Sequence, residues 1–174
     1  MGELASVLDG LAAEDLFGMS AAGLLDRTAE LVRARNRIDA ELARTVRRAE
    51  LAQAPEHDGL KTMASWLRGH ARLSPAAAGQ LVRNGRAVEF LPAVAAGCSA
   101  GLITAEQVSV LAPVTRPEHL AAAADQGVEL AEVDAVLAET AATRQQVQLA
   151  GWWATIWPGW TPTAPNPTPP RAGR

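Results

Sequence analysis

The sequence predicts an all-α fold, on three observations. About thirty residues, from Ala21 to Ala52, run without a proline and repeat their apolar side chains at helical spacing. Hydroxyl residues stand directly before helical stretches at Ser20, Thr62, Ser74 and Thr104, where a side-chain oxygen accepts from a free backbone N–H, and Pro75 and Pro117 suit a first helical turn. No segment alternates convincingly with period two. The predicted architecture is one long N-terminal helix followed by a bundle of short ones.

Residues 3–16 read as a short helix ending at Gly18, and Ser20 caps the long one. In the long helix Leu24, Leu25, Leu31, Val32, Ile38, Leu42 and Val46 make one apolar stripe, expected to face the core. Asp26, Arg27, Glu30, Arg33, Arg37, Glu41 and Arg44 interleave as opposite charges three and four apart. Such a helix suits a spine of the fold or a self-association surface over residues 21–52. Beyond the Asp58-Gly59 loop, Thr62 opens a helix through Met63, Trp66 and Leu67. Ser74-Pro75 opens one that carries Leu81, Val82, Val88 and Phe90 and stops near Leu91-Pro92. A turn of helix over Pro92–Ala96 leads to Gly97 and Gly101. Thr104 caps a helix with Val108, Val110 and Leu111 inside, Pro117 starts another through Ala124, and Leu130–Ala142 is the last, with Val133, Val136 and Leu137 inward. The three short helices between Ser74 and Pro113 have the proportions of a helix-turn-helix unit, and equally those of any compact helical bundle.

At 174 residues, 48% hydrophobic and 20% charged, the chain suits one soluble domain with a real core. No apolar run approaches the roughly 18–20 residues of a membrane span, and the N-terminus lacks a signal-peptide pattern, so a cytoplasmic location is expected. Cys98 stands alone in an Ala-Gly-Ser run and reads as a small buried hydrophobe.

Charge is distributed unevenly. Residues 59–88 hold no acid and five cations, Lys61, Arg68, Arg72, Arg83 and Arg86, in a chain of formal net charge -3. Residues 1–58 carry eleven acids against seven Arg, and residues 89–144 eight against two. Arg68 and Arg72 are four apart, Arg83 and Arg86 three apart, so each pair can share a helix face and reach phosphates. With little aromatic interleaving, the segment does not suit a single-strand binder. Arg also pairs with acids of other elements, which competes directly with a phosphate-binding role.

The words DGLKTMASWLRGHARLSPAAAGQLVRNGRAVEFLPAVAAG and LITAEQVSVLAPV resemble the family catalogued as domain of unknown function 222, over roughly residues 20–145. The resemblance implies an actinobacterial helical domain of repeat-family proteins that typically precedes an HNH endonuclease module, with an association with DNA through the nuclease part. It assigns no catalytic residues to the helical domain. The HNH constellation of His with companion ligands is missing, because His57, His70 and His119 are far apart and lack Cys or Asn at useful spacing. His57 between Glu56 and Asp58 reads as a solvated acidic loop rather than a metal site, and His70 as an ordinary surface or half-buried side chain. Without a phosphate loop, a nucleophile set or a carboxylate dyad, the expectation is a non-enzyme with no cofactor, no metal and no small-molecule substrate.

Residues 146–174 depart from the rest. Four of five Trp fall within 152–160, followed by a Pro-rich, acid-free run, and the segment reads as a disordered tail. Trp has the single codon TGG, so the shifted frame is partly determined. Trp152-Trp153 yields a Val codon, Trp153-Ala154 Gly, Trp157-Pro158 Ala and Trp160-Thr161 Asp. One permitted translation of 151–166 is VVGHYLARLDPDGPEP, a helix end followed by a turn. The expectation is a frameshift between about Thr143 and Gly151, with the nuclease module lost. Three functions follow: a DNA-associating domain without its nuclease, a protein-interaction or oligomerisation module built on residues 21–52, or a degenerate gene product.

Overall fold

The computed structural model describes residues 2–144 and 148–149. Among them the fold is all-α: eight helices and two short 3-10 turns, without a strand. α1 spans Gly2–Ala13, α2 Ala21–Leu51, α3 Met63–Gly69, α4 Pro75–Phe90, α5 Pro92–Ser99, α6 Ala105–Leu111, α7 Pro117–Asp125 and α8 Leu130–Thr143, with 3-10 turns at Ala54–Asp58 and Ala112–Thr115. The Trp- and Pro-rich stretch from 150 onward, and the reading-frame expectation with it, lies outside the described residues.

Local chemistry sets most of the starts. Ser20 accepts from the Gly23 N–H, Thr62 from Ser65, and Ser74 from Ala77. Thr104 forms a complete capping box with Gln107, each side chain bonding the other's backbone N–H. Gln107 then donates Nε2 to the carbonyls of Ala141 and Arg144, at 2.6 and 2.9 Å, and so ties the end of α8 to α6. α5 runs through Gly97 to Ser99, further than its sequence suggests. Its start has no local side-chain cap; instead buried Asp134 of α8 accepts from the N–H groups of Ala93 and Val94, at 2.6 and 3.1 Å.

α4 is the hub, packing on α2, α3, α5, α6 and the second 3-10 turn. On one side Val46, Met63, Leu67, Ala78 and Val82 join α2, α3 and α4. On the other, Leu91, Val94, Cys98, Ile103, Val108, Val110, Leu111, Val114, Leu137, Ala141 and Leu149 form the larger core. Full burial of a Leu or Ile side chain contributes about 1.5–3 kcal/mol. Leu91, Ile103, Leu111 and Leu137 are all essentially fully buried. Cys98 is buried as expected, and desolvation pushes its thiol pKa up to about 11.

α2 and α4 touch at Gly85, where an added Cβ would stand 2.7 Å from the Ala43 carbonyl oxygen. Gly101 (φ +77) docks against α2 in the same way, its would-be Cβ 2.7 Å from the Arg33 oxygen, while Asn36 donates to the Gly101 carbonyl at 3.1 Å. The helix contact at Gly85 and the turn at Gly101, which bring α4 and the α5–α6 connection onto α2, therefore require glycine.

The α2 stripe does not pack as expected. Its buried residues are Asn36, Ala43 and Val46. Leu24, Leu25, Leu31, Val32, Ile38 and Leu42 are all exposed. No residue of Ala21–Arg35 is buried, because the bundle first meets the helix at Arg33, where Gly101 docks, and packs on it fully only beyond that point. Helical spacing identified an apolar face; how far the neighbouring helices extend along it depends on their own lengths and turns. Phe90 and Val136 also face outward, at 45% and 52% exposure, against the inward expectation for Val136.

Candidate nucleic-acid interface

The acid-free segment folds as α3, a turn and all but the last two residues of α4. Met63 and Leu67 point into the core shared with α2 and α4, which turns Arg68 to solvent. α3 closes with Ala71 and Leu73 N–H groups both donating to the Leu67 carbonyl. That turn holds Arg72 in the left-handed region at φ 56, a conformation a non-glycine residue adopts at a cost of about 1–2 kcal/mol. Its side chain is exposed, as are Lys61 and Arg83.

Arg86 is the exception among the five cations. Its guanidinium grips Glu50 of α2 with Nε and Nη2, the first at 2.9 Å. Glu50 also receives Arg47 at 2.9 Å, and Arg47 reaches Glu89 at 2.7 Å. Hydrogen bonds from Arg86, aided by Arg47, hold the Glu50 carboxyl below the usual carboxylate range against the opposing effect of burial. The same contacts raise the Arg86 pKa. Arg86 therefore clamps α4 to α2 and, unlike the other four cations, has its charge paired with Glu50. Lys61, Arg68, Arg72 and Arg83 form no ion pair among the described residues.

A polar cluster beside them escaped sequence reading. Asp58 accepts from the Trp66 indole N–H at 2.6 Å and lies 3.7 Å from His70 Nε2, while the Trp66 and His70 rings stack at 4.9 Å. The i,i+4 spacing of Trp66 and His70 was the available signal. Asp58 arrives from the preceding 3-10 turn, and only the folded chain brings it there. His57, Glu56 and Asp58 do not converge on a metal: among the described residues, no group of three or more His, Cys, Asp and Glu is placed to hold one.

Of the three helices between Ser74 and Pro113, α6 bears on the helix-turn-helix reading through its burial. α6 would be the recognition helix, yet Gln107, Val108, Val110 and Leu111 of its seven residues are buried. Its one charged side chain is Glu106, which faces Arg35 of α2 at 3.3 Å. An acidic, largely buried helix has no face to offer a major groove.

Fold and surface together define an all-helical domain in which Lys61, Arg68, Arg72 and Arg83, on α3, α4 and the turns before each of them, have no ion-pair partner among the described residues. The chain belongs to the family described as domain of unknown function (DUF222), which matches residues 25–154. That match runs past residue 145, where the sequence reading closed the domain, and takes in Leu149 of the larger core. No curated protein and no solved structure matches the chain. Among the described residues no helix is long and apolar enough to cross a membrane.

Proposed function

We propose that this domain associates with nucleic acid through the phosphate backbone, using Lys61, Arg68, Arg72 and Arg83, and itself performs no chemistry. The observation that carries this reading is that four exposed cations have no carboxylate partner among the described residues, in a chain of net charge -3. Phosphate contacts of this kind position a protein without reading sequence. The domain is then the helical partner of an HNH nuclease module, and the Trp- and Pro-rich residues of 151–166 fit a shifted frame that interrupts the link. Sequencing of the locus tests that link, and the absence of an HNH-like frame in the shifted register overturns it.

Binding to duplex DNA is measured against salt. Four phosphate contacts predict a log–log slope near -3.6, a loss on the order of 100-fold between 50 and 200 mM salt. Arg68→Ala and Arg83→Ala each lower the slope by about one, whereas Arg86→Ala leaves it unchanged because that charge is already neutralised. Binding indifferent to salt, or absent at low salt, refutes the proposal.

A further inference from the structure

We infer that the exposed stripe of α2 is a homodimer interface in which two copies pair antiparallel across a two-fold axis near residue 33. Leu24, Leu31, Ile38 and Leu42 are exposed at 38–45% and fall within an arc of about 40° at 100° per residue. The core-facing Asn36 and Ala43 lie about a third of a turn away, and Val46, only about 40° from Leu42, is where the face turns into the core at the C-terminal end of the helix. α2 has no buried residue from Ala21 to Arg35, and on this stretch the bundle touches it only at Arg33, under Gly101, and at Arg35, which pairs with Glu106. α1, tethered where Arg27 donates to the Leu11 carbonyl at 3.0 Å, exposes Leu4, Val7 and Leu8 as well.

The charges beside the stripe identify the occupant. Glu30 and Arg37 lie on one flank, both are exposed, and neither makes an ion pair among the described residues. They are seven residues apart, about 10 Å along the axis, too far to pair within one helix. The midpoint of Leu24 and Leu42 is residue 33, and that of Glu30 and Arg37 falls between 33 and 34. An antiparallel second copy therefore sets Leu24 against the partner's Leu42, and Glu30 against the partner's Arg37, each contact occurring twice. Val32 and the small Ala34 flank the axis, where each approaches its own copy. A parallel pair would bring the Glu30–Arg37 flank against the opposite one, on which Leu25 and Val32 stand, and no such complementarity arises. The apolar stripe supplies affinity, and the exposed charges choose the orientation.

Sedimentation of the full 174-residue chain tests this, with far-UV circular dichroism confirming the helical fold of each variant. The expected result is a reversible dimer at micromolar concentration. Leu31→Glu with Ile38→Glu, both at exposed positions, gives a monomer. Glu30→Arg and Arg37→Glu each place like charges together twice and weaken the dimer about tenfold or more. The double swap Glu30→Arg/Arg37→Glu restores it, which only pairing between copies explains. A monomer at about 100 μM, a dimer indifferent to Leu31→Glu/Ile38→Glu, or a double swap without restoration overturns the inference.

Discussion

Gly85 and Gly79 lie on the same helix, both inside α4, and the fold predicts opposite outcomes when each becomes alanine. Alanine in a helix interior is about 1 kcal/mol more favourable than glycine, and both positions gain that. At Gly79 the added methyl meets only the Nη1 atom of Arg83 at 3.1 Å, the far end of a flexible side chain that can move aside. Gly79→Ala is therefore expected to stabilise by up to about 1 kcal/mol. At Gly85 the methyl would stand 2.7 Å from the Ala43 carbonyl oxygen and 3.3 Å from the Arg47 Cβ. Neither the α2 backbone nor a Cβ can rotate away, so α2 and α4 must separate. Overpacking of this kind costs about 1–3 kcal/mol, and separating the helices also loosens the Arg86–Glu50 clamp. The net expectation for Gly85→Ala is a destabilisation of about 1–2 kcal/mol after the helix-propensity gain. Urea unfolding at constant m-value reads both variants, and the thermal midpoint should fall by about 2–4 °C per kcal/mol. If Gly85→Ala proves as stable as Gly79→Ala, the close approach of α2 and α4 is wrong.

Two further outcomes follow from the same contacts. Asp134→Ala removes the acceptor for two N–H groups at the start of α5 and leaves them in a buried site; the expected loss is about 2–3 kcal/mol, with Asp134→Asn losing less, by urea unfolding. Equal stability of Asp134→Ala and the native chain would rule out that cap. Glu50 has its pKa lowered from 4.5, so its paired form stabilises the fold fully above that value, and the stabilisation disappears as pH falls through the lower folded-state pKa. Stability should therefore drop below about pH 4.5 less steeply in Glu50→Gln than in the native chain, whose acid limb carries this group. Parallel acid limbs for the two proteins would show that the Arg86 contact does not bias Glu50.

Much of the secondary structure was legible because its determinants are local. Ser74-Pro75 combines a capping oxygen with a fixed φ at the first helical position, and α4 starts there in the fold. Thr104 announced α6 in the same way, and the fold adds Gln107 as the other half of its capping box. α5 was read short because Gly97 counts against a helix in isolation. In the fold the would-be Gly97 Cβ lies 2.5 Å from Ile103 Cδ1, so glycine is there for packing rather than to end the helix.

The candidate site was legible as a count of cations, not as an arrangement. A gap in acidic residues along the chain located Lys61, Arg68, Arg72, Arg83 and Arg86. Sequence distance could not reveal that Glu50, thirty-six residues before Arg86, folds back to claim it. Nor could it bring Asp58 under the Trp66–His70 stack.

The sequence by itself determined that the chain is helical, where most helices begin, and that positive charge concentrates between residues 59 and 88, since all three depend on neighbours within a few positions. The tertiary structure decided which cations stay free and which side of α2 meets the core, because both depend on groups that folding brings together from distant positions. Of the periodic stripe it buried only Val46, adding Asn36 and Ala43, and left Leu24, Leu31, Ile38 and Leu42 to solvent. An apolar stripe records only that a surface needs covering; the lengths and turns of the other helices determine whether the chain covers it itself.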